Sequence, residues 1–362
     1  MPNFPKVAIV YLSYHCELYL ERAIEAWKKL DYPKEQVVIV VVDNQHKNYG
    51  SSAKFIQEKA LPLSGNVLPK VVFLPQETNL GFAGGNNIGI NWAVQNGYDY
   101  VFLHNQDGFM APECLAKLVE AMEKDKTVGA AQALICLFPE IDLVNTSGNK
   151  YHYLGFGFCG DYRLPVIGVE KNAHAIGYAS GAALLMRVDL IRAHGMLDAD
   201  FFAYHEDFEY SFRLKAQGYK IILAPEAHFF HEYEFDKKNT TKYFLMERNR
   251  IGMWLMYLDW STLLLLAPIE ILLNFGLLFF SLKCGWIKEW AMVQVYWLKW
   301  SNWRFWLNKR VLTRKSRKLS DRDLLQDAVS AIEFEGMGGR FVRFGNYVLT
   351  QYARLLKALG FK

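Results

Sequence analysis

Glu206 and Asp207 stand side by side in a run of aromatic residues, with Phe201, Phe202 and Tyr204 before them and Phe208, Tyr210 and Phe212 after. Aromatic side chains at this density are buried on folding, and carboxylates carried in with them lose hydration that needs a compensating partner or a chemical task. Acids in such surroundings have displaced pKa values, the property that proton transfer and cation binding exploit. Two further acids, Asp43 and Asp107, each follow an apolar run and complete the set worth placing.

The elements that must position these residues are legible around them. Residues 7–12 and 37–42 are apolar runs rich in β-branched side chains, read as strands buried on both faces, and 17–30 between them has helical spacing. Strand, helix, strand in this order implies a parallel α/β sheet. Asp43 and Asn44 end the second strand, at the carboxyl edge where open α/β sheets take ligands. There Asp43 either accepts hydrogen bonds from the base or ribose of a nucleotide or caps a turn. A strand at 71–74 leads into Asn79, Gly81, Gly84, Gly85, Asn86, Asn87 and Gly89, read as a glycine loop in front of a helix at 90–95. Its spacing is neither the dinucleotide fingerprint nor a P-loop. Residues 100–103 form a buried strand ending at Asn105 and Asp107, and Asp107 either holds Mg²⁺ or Mn²⁺ against a diphosphate or makes a turn with Gly108. After a helix at 112–122 and a strand at 128–134, residues 138–172 are a long irregular connection of the kind that carries acceptor-binding loops. A small-residue strand at 178–187, a helix at 188–194 closed by Gly195, and a strand at 220–223 followed by a loop at Pro225 complete the reading.

Composition sets the bounds. The 362 residues are 52% hydrophobic, enough for one large catalytic domain with an appendage and incompatible with a disordered chain. Five scattered cysteines without C-x-x-C spacing argue against a zinc or disulfide framework and for a reducing compartment. The first residues lead into a strand rather than a signal-peptide pattern. Net charge is +4, yet Lys283 to Lys318 holds ten Lys or Arg against one acid, a local +9 that leaves −5 on the rest. Residues 262–282 are long enough to span or dip into a bilayer, though they include Pro268, Glu270 and Asn274. Six tryptophans between Trp286 and Trp306 alternate with the cations, read as an in-plane membrane helix on an anionic surface rather than a second core. Tryptophan at this density argues against a nucleic-acid partner. Residues 319–362 read as a lid, a dimer contact or another surface helix.

In chain order, Asp43-Asn44, the Asn79 to Gly89 stretch, Asp107, Ser180-Gly181-Ala182, Gly195 with Asp198, His205-Glu206-Asp207 with Glu209, and His228 to His231 resemble family 2 glycosyltransferases, most of all their rhamnosyltransferase-like branch. The resemblance implies a GT-A fold over about residues 1–250; beyond it, composition marks membrane-associated helices over 251–318 and a helical segment over 319–362. The resemblance also implies inverting transfer of a sugar from a nucleoside diphosphate to a hydroxyl of a lipid-linked or cell-surface glycan. dTDP-rhamnose is then the leading donor. UDP-galactofuranose or another UDP-sugar, transfer to polyprenyl phosphate, and a non-catalytic sugar-nucleotide-binding membrane scaffold are the alternatives. In this reading Asp207 is the base, with Glu206 either orienting the acceptor or capping its helix. Asp43, Asn44, Asn79, Gly81, Gly84, Gly85 and Asn86 line the nucleotide pocket. Asp107 and His231 hold the metal, and Asn105 stands where the family has the first acid of its D-x-D motif. Arg248 and Arg250 either reach the diphosphate or face lipid. Cytoplasmic sugar nucleotides and the basic segment place the protein on the cytoplasmic face of the membrane, peripheral or with one embedded element, where an oligomer remains open.

Overall fold

A computed structural model describes residues 4–233, 240–333 and 339–358. The chain divides into two compact units, the first comprising Met1–Asn149, Cys159–Leu214 and Tyr219–Glu234, the second Lys150–Phe158, Lys215–Gly218 and Phe235–Lys362.

The first unit is built on strands β1 (Val7–Ser13), β2 (Val37–Asp43), β3 (Lys70–Pro75), β4 (Tyr100–Asn105), β5 (Gly108–Met110), β6 (Val128–Leu137) and β7 (Val144–Thr146). Helices α1 (Leu20–Trp27), α2 (Ala53–Lys59), α3 (Gly81–Gln95) and α4 (Cys114–Lys124) connect them. β8 (Asn149–Tyr151) and β9 (Gly157–Cys159) form a two-stranded sheet of their own. Then come β10 (His174–Ala175), β11 (Ala183–Arg187), α5 (Val188–His194), α6 (Glu206–Ala216) and β12 (Lys220–His231). The sheet runs β10-β12-β6-β11-β4-β1-β2-β3, with β5 on β12 and β7 on β6. β3, β2, β1 and β4 are mutually parallel, β6 and β12 are parallel, and β11 is antiparallel between β4 and β6. β1 and β2 are buried at every position, which is why their sequences read as unbroken apolar runs.

Two expectations are corrected. The glycine-rich stretch is not a loop before a helix: α3 begins at Gly81 and runs through it. A Cβ on Gly85 would sit 2.5 Å from the Leu12 side chain and one on Gly89 2.5 Å from that of Val10, so these glycines let α3 lie directly on β1. Likewise β12 does not end before Pro225; a register shift between Ala224 and His228 accommodates the proline as a bulge and the strand continues to His231.

The second unit is helical: α7 (Thr240–Tyr257), α8 (Trp260–Cys284), α9 (Ile287–Leu298), α10 (Trp300–Ser316), α11 (Asp321–Leu325) and α12 (Arg340–Ala358). Of its tryptophans, Trp254 and Trp306 are buried, Trp286, Trp290, Trp297 and Trp303 half-buried, and Trp260 exposed. Trp306 is fully buried over Gly252 of α7, where a Cβ would lie 2.5 Å from the indole, and donates to the Tyr296 hydroxyl at 2.9 Å. Trp290 donates to Asn274 and Trp303 to the Trp297 carbonyl, while Trp300 is exposed. The basic segment is also partly consumed. Arg310 donates to the carbonyls of Leu255 and Leu258 at 2.7 and 2.5 Å, and Arg314 and Arg317 both reach that of Tyr257, so three of the ten cations close the end of α7.

Candidate active site

The register of the sheet places the chemistry-bearing residues on one edge. Ser13 pairs with Asp43, Leu12 with Asn105, and His231 with both Gly108 and Leu137. Gln106 stitches β4 to β1: its Oε1 accepts from Tyr14 N at 2.6 Å and its Nε2 donates to Tyr14 O at 2.9 Å.

At one end of this edge, Asp43 is 1% exposed and accepts from Ser13 Oγ at 3.0 Å, Ser51 Oγ at 2.5 Å and the Ser52 amide at 3.3 Å. Its carboxylate therefore holds the turn after β2 to the tip of β1, the turn-forming use that sequence left open. Asn44 is committed as well: its Nδ2 donates to Asn79 Oδ1 and Gly81 O, and its Oδ1 accepts from Leu80 N. Asn79 Oδ1 also accepts from Gly81 N at 2.9 Å. Asn44 and Asn79 thus fasten the entry to α3, while Asn86 is buried and donates to Phe82 O within that helix. Beside them the rings of Tyr14, His15, His46 and Tyr49 cluster, with Tyr14 and His46 centred 4.3 Å apart and His15 stacked on Tyr49.

In the middle lies the acidic pair. Phe202, Tyr204 and His205 all have positive φ, a strained run for non-glycine residues, and strain of this kind gathers where a segment has a job. The run is clamped to α3, where Ala83 N donates to Phe202 O at 3.1 Å. Gly81, itself at φ 73°, has no space for a Cβ, which would meet that same oxygen at 2.3 Å. α6 then begins at Glu206. Asp207 accepts from Gly181 N at 3.0 Å and Phe208 N at 2.7 Å and is partly exposed. Burial raises its pKa above the ordinary carboxylate range, and the two amide donors offset only part of that rise. Glu206 is buried, with Oε2 lacking any partner; burial and then the charge of Asp207 push its pKa well up. Burial thus pushes both carboxyls up, Glu206 further, and of the two only Asp207 has amide donors that favour its ionised form.

Next to Gly181, the Ala182 carbonyl accepts from Asn105 N at 3.0 Å, linking the Asp207 cradle to the tip of β4. Asn105 Nδ2 donates to Asp107 Oδ1 at 2.6 Å, and His231 Nε2 lies 2.8 Å from the same oxygen. The other ring nitrogen of His231 is 2.9 Å from Asn145 Oδ1, while Asn145 Nδ2 is buried without a partner. In the tautomer whose Nδ1–H donates to Asn145 Oδ1, the His231 ring presents the Nε2 lone pair beside Asp107, the form that ligates a cation.

A profile of glycosyl transferase family 2 matches residues 8–188, and one of glycosyl transferase family group 2 matches residues 100–307. The chain belongs to glycosyltransferase family 2. Two solved structures share the GT-A fold of this glycosyltransferase. One is GalNAc-T7 with UDP, GalNAc and Mn²⁺, at TM-score 0.57 and 15% identity over 72% of this chain. The chain spans about half of that protein, 49% of its length. The other is the mannosyltransferase PcManGT from Pyrobaculum calidifontis with GDP-Man and Mn²⁺, at TM-score 0.51 and 14% identity over 87% of this chain and 86% of that one. Among curated protein sequences none matches this chain.

The transferase's donor set fits a hard divalent cation. Asp107 and His231 converge on one point, and Asn105, in place of an acid, aims the Asp107 carboxylate. Among the described residues no group of three or more His, Cys, Asp or Glu forms a metal cage, and Mg²⁺ or Mn²⁺ completes its shell with water and phosphate oxygens in such sites. The arginines of α7 belong to the second unit. Arg250 is buried, with its guanidinium spent on Glu247, Glu270 and the Leu154 carbonyl, so neither the diphosphate nor the lipid reading holds for it. Arg248 donates to the side chain of its neighbour Asn249. Sequence reasoning missed Tyr14, Gln106 and Asn145. Asn145 sits in a three-residue strand without periodicity, and only the strand pairing of β7 with β6 brings it to His231.

Proposed function

We propose that this glycosyltransferase moves a sugar from a nucleoside diphosphate to an acceptor hydroxyl in one in-line displacement, inverting the anomeric carbon. The observation that carries the reading is the continuous contact from Asp207 through Gly181, Ala182 and Asn105 to Asp107 and His231. It supports reading Asp207 as the base and Asp107 with His231 as the cation-binding pair of one sheet edge. Asp207 takes the proton as the acceptor oxygen attacks; the bond from the anomeric carbon to the diphosphate oxygen breaks, and its electron pair leaves with the diphosphate. Mg²⁺ or Mn²⁺ held by Asp107 and His231 would neutralise that leaving charge. Tyr14 and His46 offer ring faces for the base, and Asp43, still tied to Ser13 and the Ser52 amide, accepts from the nucleoside in place of the Ser51 hydroxyl.

α8 is long and apolar enough to cross a membrane. Its polar residues are engaged on one side, Glu270 with Arg250 and Asn274 with Trp290 and Gln294. Leu264, Ile271, Phe275, Phe279 and Leu282 form an exposed stripe at helical spacing. This one-sided stripe supports a helix lying in the interface at the cytoplasmic face, bringing the enzyme to a lipid-linked glycan.

The test is a donor panel with Mn²⁺, beginning with dTDP-rhamnose and followed by UDP-galactofuranose and other UDP-sugars, against lipid-linked glycans and polyprenyl phosphate. Product stereochemistry is read by NMR. Transfer with inversion that a chelator abolishes supports the reading; no turnover with any donor leaves a sugar-nucleotide-binding scaffold in its place.

A further inference from the structure

We infer that α12 is a second membrane-docking element, a basic amphipathic helix that reads anionic lipid headgroups beside the apolar stripe of α8. The inference rests on the membrane reading of α8 and adds to it a charge-selective contact.

α12 carries Arg340, Arg343, Arg354 and Lys357 and no acid. Its inward face is fixed by Leu349, Ala353 and Leu356, all buried, by the Tyr153 hydroxyl donating to Leu349 O, and by Asn346, whose side chain clasps the backbone N–H and C=O of Ile332. The other face is unusual in kind. Among the described side chains of the helix, the exposed ones are the four cations together with Phe344, Tyr347 and Leu355, which are 66%, 62% and 52% exposed, and Ala358. A helix that merely faces water alternates charges of both signs. A single sign interleaved with exposed aromatic and leucine side chains is instead the pattern of a helix at a bilayer surface. α12 also abuts the right neighbour, since the Tyr352 hydroxyl donates to Leu265 O of α8 at 2.5 Å, next to exposed Leu264. A second copy meeting this face about a two-fold axis would oppose like charges. A nucleic acid would use the cations and leave the adjoining apolar stripe in water. An anionic bilayer satisfies both at once.

The test is flotation of the full chain with vesicles of phosphatidylcholine alone and of phosphatidylcholine mixed with phosphatidylglycerol, at low and high salt. Wild type is expected to bind the anionic vesicles more tightly, with the difference fading as salt rises. Arg343→Gln/Arg354→Gln/Lys357→Gln keeps helix propensity and the buried face. It is expected to lose about 5-fold per residue, about 100-fold in all, on anionic vesicles and nothing on neutral ones. Unchanged circular dichroism confirms that the triple variant is folded. Ile271→Ser/Phe275→Ser/Phe279→Ser tests the α8 reading separately and is expected to weaken binding to both vesicle types. A wild type without anionic preference, or a triple variant that keeps it, overturns the inference about α12. An α8 variant that binds as wild type does overturns the reading of α8. Triple-variant loss of self-association with lipid binding intact assigns the face to a second copy and also overturns it.

Discussion

The carboxyl edge of the sheet and the cation-rich helices of the second unit are both crowded with polar side chains, yet they use them in opposite ways. In the helices the charges are consumed: Arg310, Arg314 and Arg317 satisfy the last carbonyls of α7, and Arg250 neutralises Glu247 and Glu270. At the sheet edge most polar groups tether one another, as Asn44, Asn79 and Gln106 do, but a few are held with capacity to spare. Asp207 is aimed by backbone amides and partly open, and His231 turns a ring nitrogen toward Asp107. What separates a site from a scaffold here is the accounting of partners, not the residue types. Probes at Asp207, Arg310, Asn145 and Glu206 press on that distinction.

The largest effect is expected at Asp207. Asp207→Asn keeps the size of the side chain and an acceptor oxygen but removes the base, so turnover is expected to fall by about 10²–10⁴-fold with donor binding retained. Steady-state kinetics beside a donor titration check it; turnover near wild type would remove Asp207 from the chemistry.

Arg310 is the matching probe of the consumed charges. Arg310→Ala leaves the carbonyls of Leu255 and Leu258 without donors, a cost of about 2–4 kcal/mol for two buried acceptors. Arg304→Ala, one and a half turns earlier on α10 and exposed, is expected to cost nothing measurable. Urea unfolding followed by tryptophan fluorescence reads the difference, because eight of the ten tryptophans lie at Trp254 or beyond. Equal midpoints for the two variants would mean that Arg310 is as dispensable as a surface cation.

Asn145 tests the sheet edge from behind. Asn145→Ala removes the acceptor that fixes the His231 tautomer, and Mn²⁺ affinity in the presence of a nucleoside diphosphate is expected to drop about 10–100-fold. Asn145→Asp keeps an acceptor and is expected to restore most of it. Calorimetric titration of Mn²⁺ is the measurement, and an unchanged affinity in the Ala variant would make Asn145 a packing residue.

Much of this was legible in the sequence, and the failures have physical causes. The β-branched runs gave away β1 and β2 and the apolar run at 100–103 gave away β4, because strands buried on both faces are mostly apolar, and Asp107 followed as the acid at a strand tip. Glycine is where the reading slipped. It serves both mobile loops and close packing, and the partners that decide between them, Val10 and Leu12, lie more than 70 positions from Gly85 and Gly89. Tryptophan is ambiguous in the same way, since core and membrane interface both favour it. The burial of Trp306 over Gly252 depends on a contact between helices that no local pattern contains. Asp43 was correctly placed at the sheet edge, and its use there turned on Ser51 and Ser52, which a motif centred on the acid does not weigh.

Glu206 gives the smallest effect and the finest test of the comparison, because it is a charge-capable group at the active edge that behaves like one of the consumed ones. Its folded pKa lies above that of the unfolded chain, so the folded state keeps a proton that the unfolded state releases. The resulting penalty is absent below the ordinary glutamic acid range, about pH 4, and grows as pH rises from there toward the raised folded value. Glu206→Gln is neutral at every pH. Its unfolding midpoint is therefore expected to match wild type near pH 4 and to exceed it at pH 7–8, with turnover close to wild type. A variant whose midpoint tracks wild type at both ends of that range while kcat/KM falls would show instead that Glu206 works as an ionised, acceptor-orienting group, and the charge at this edge would then be shared by both members of the pair.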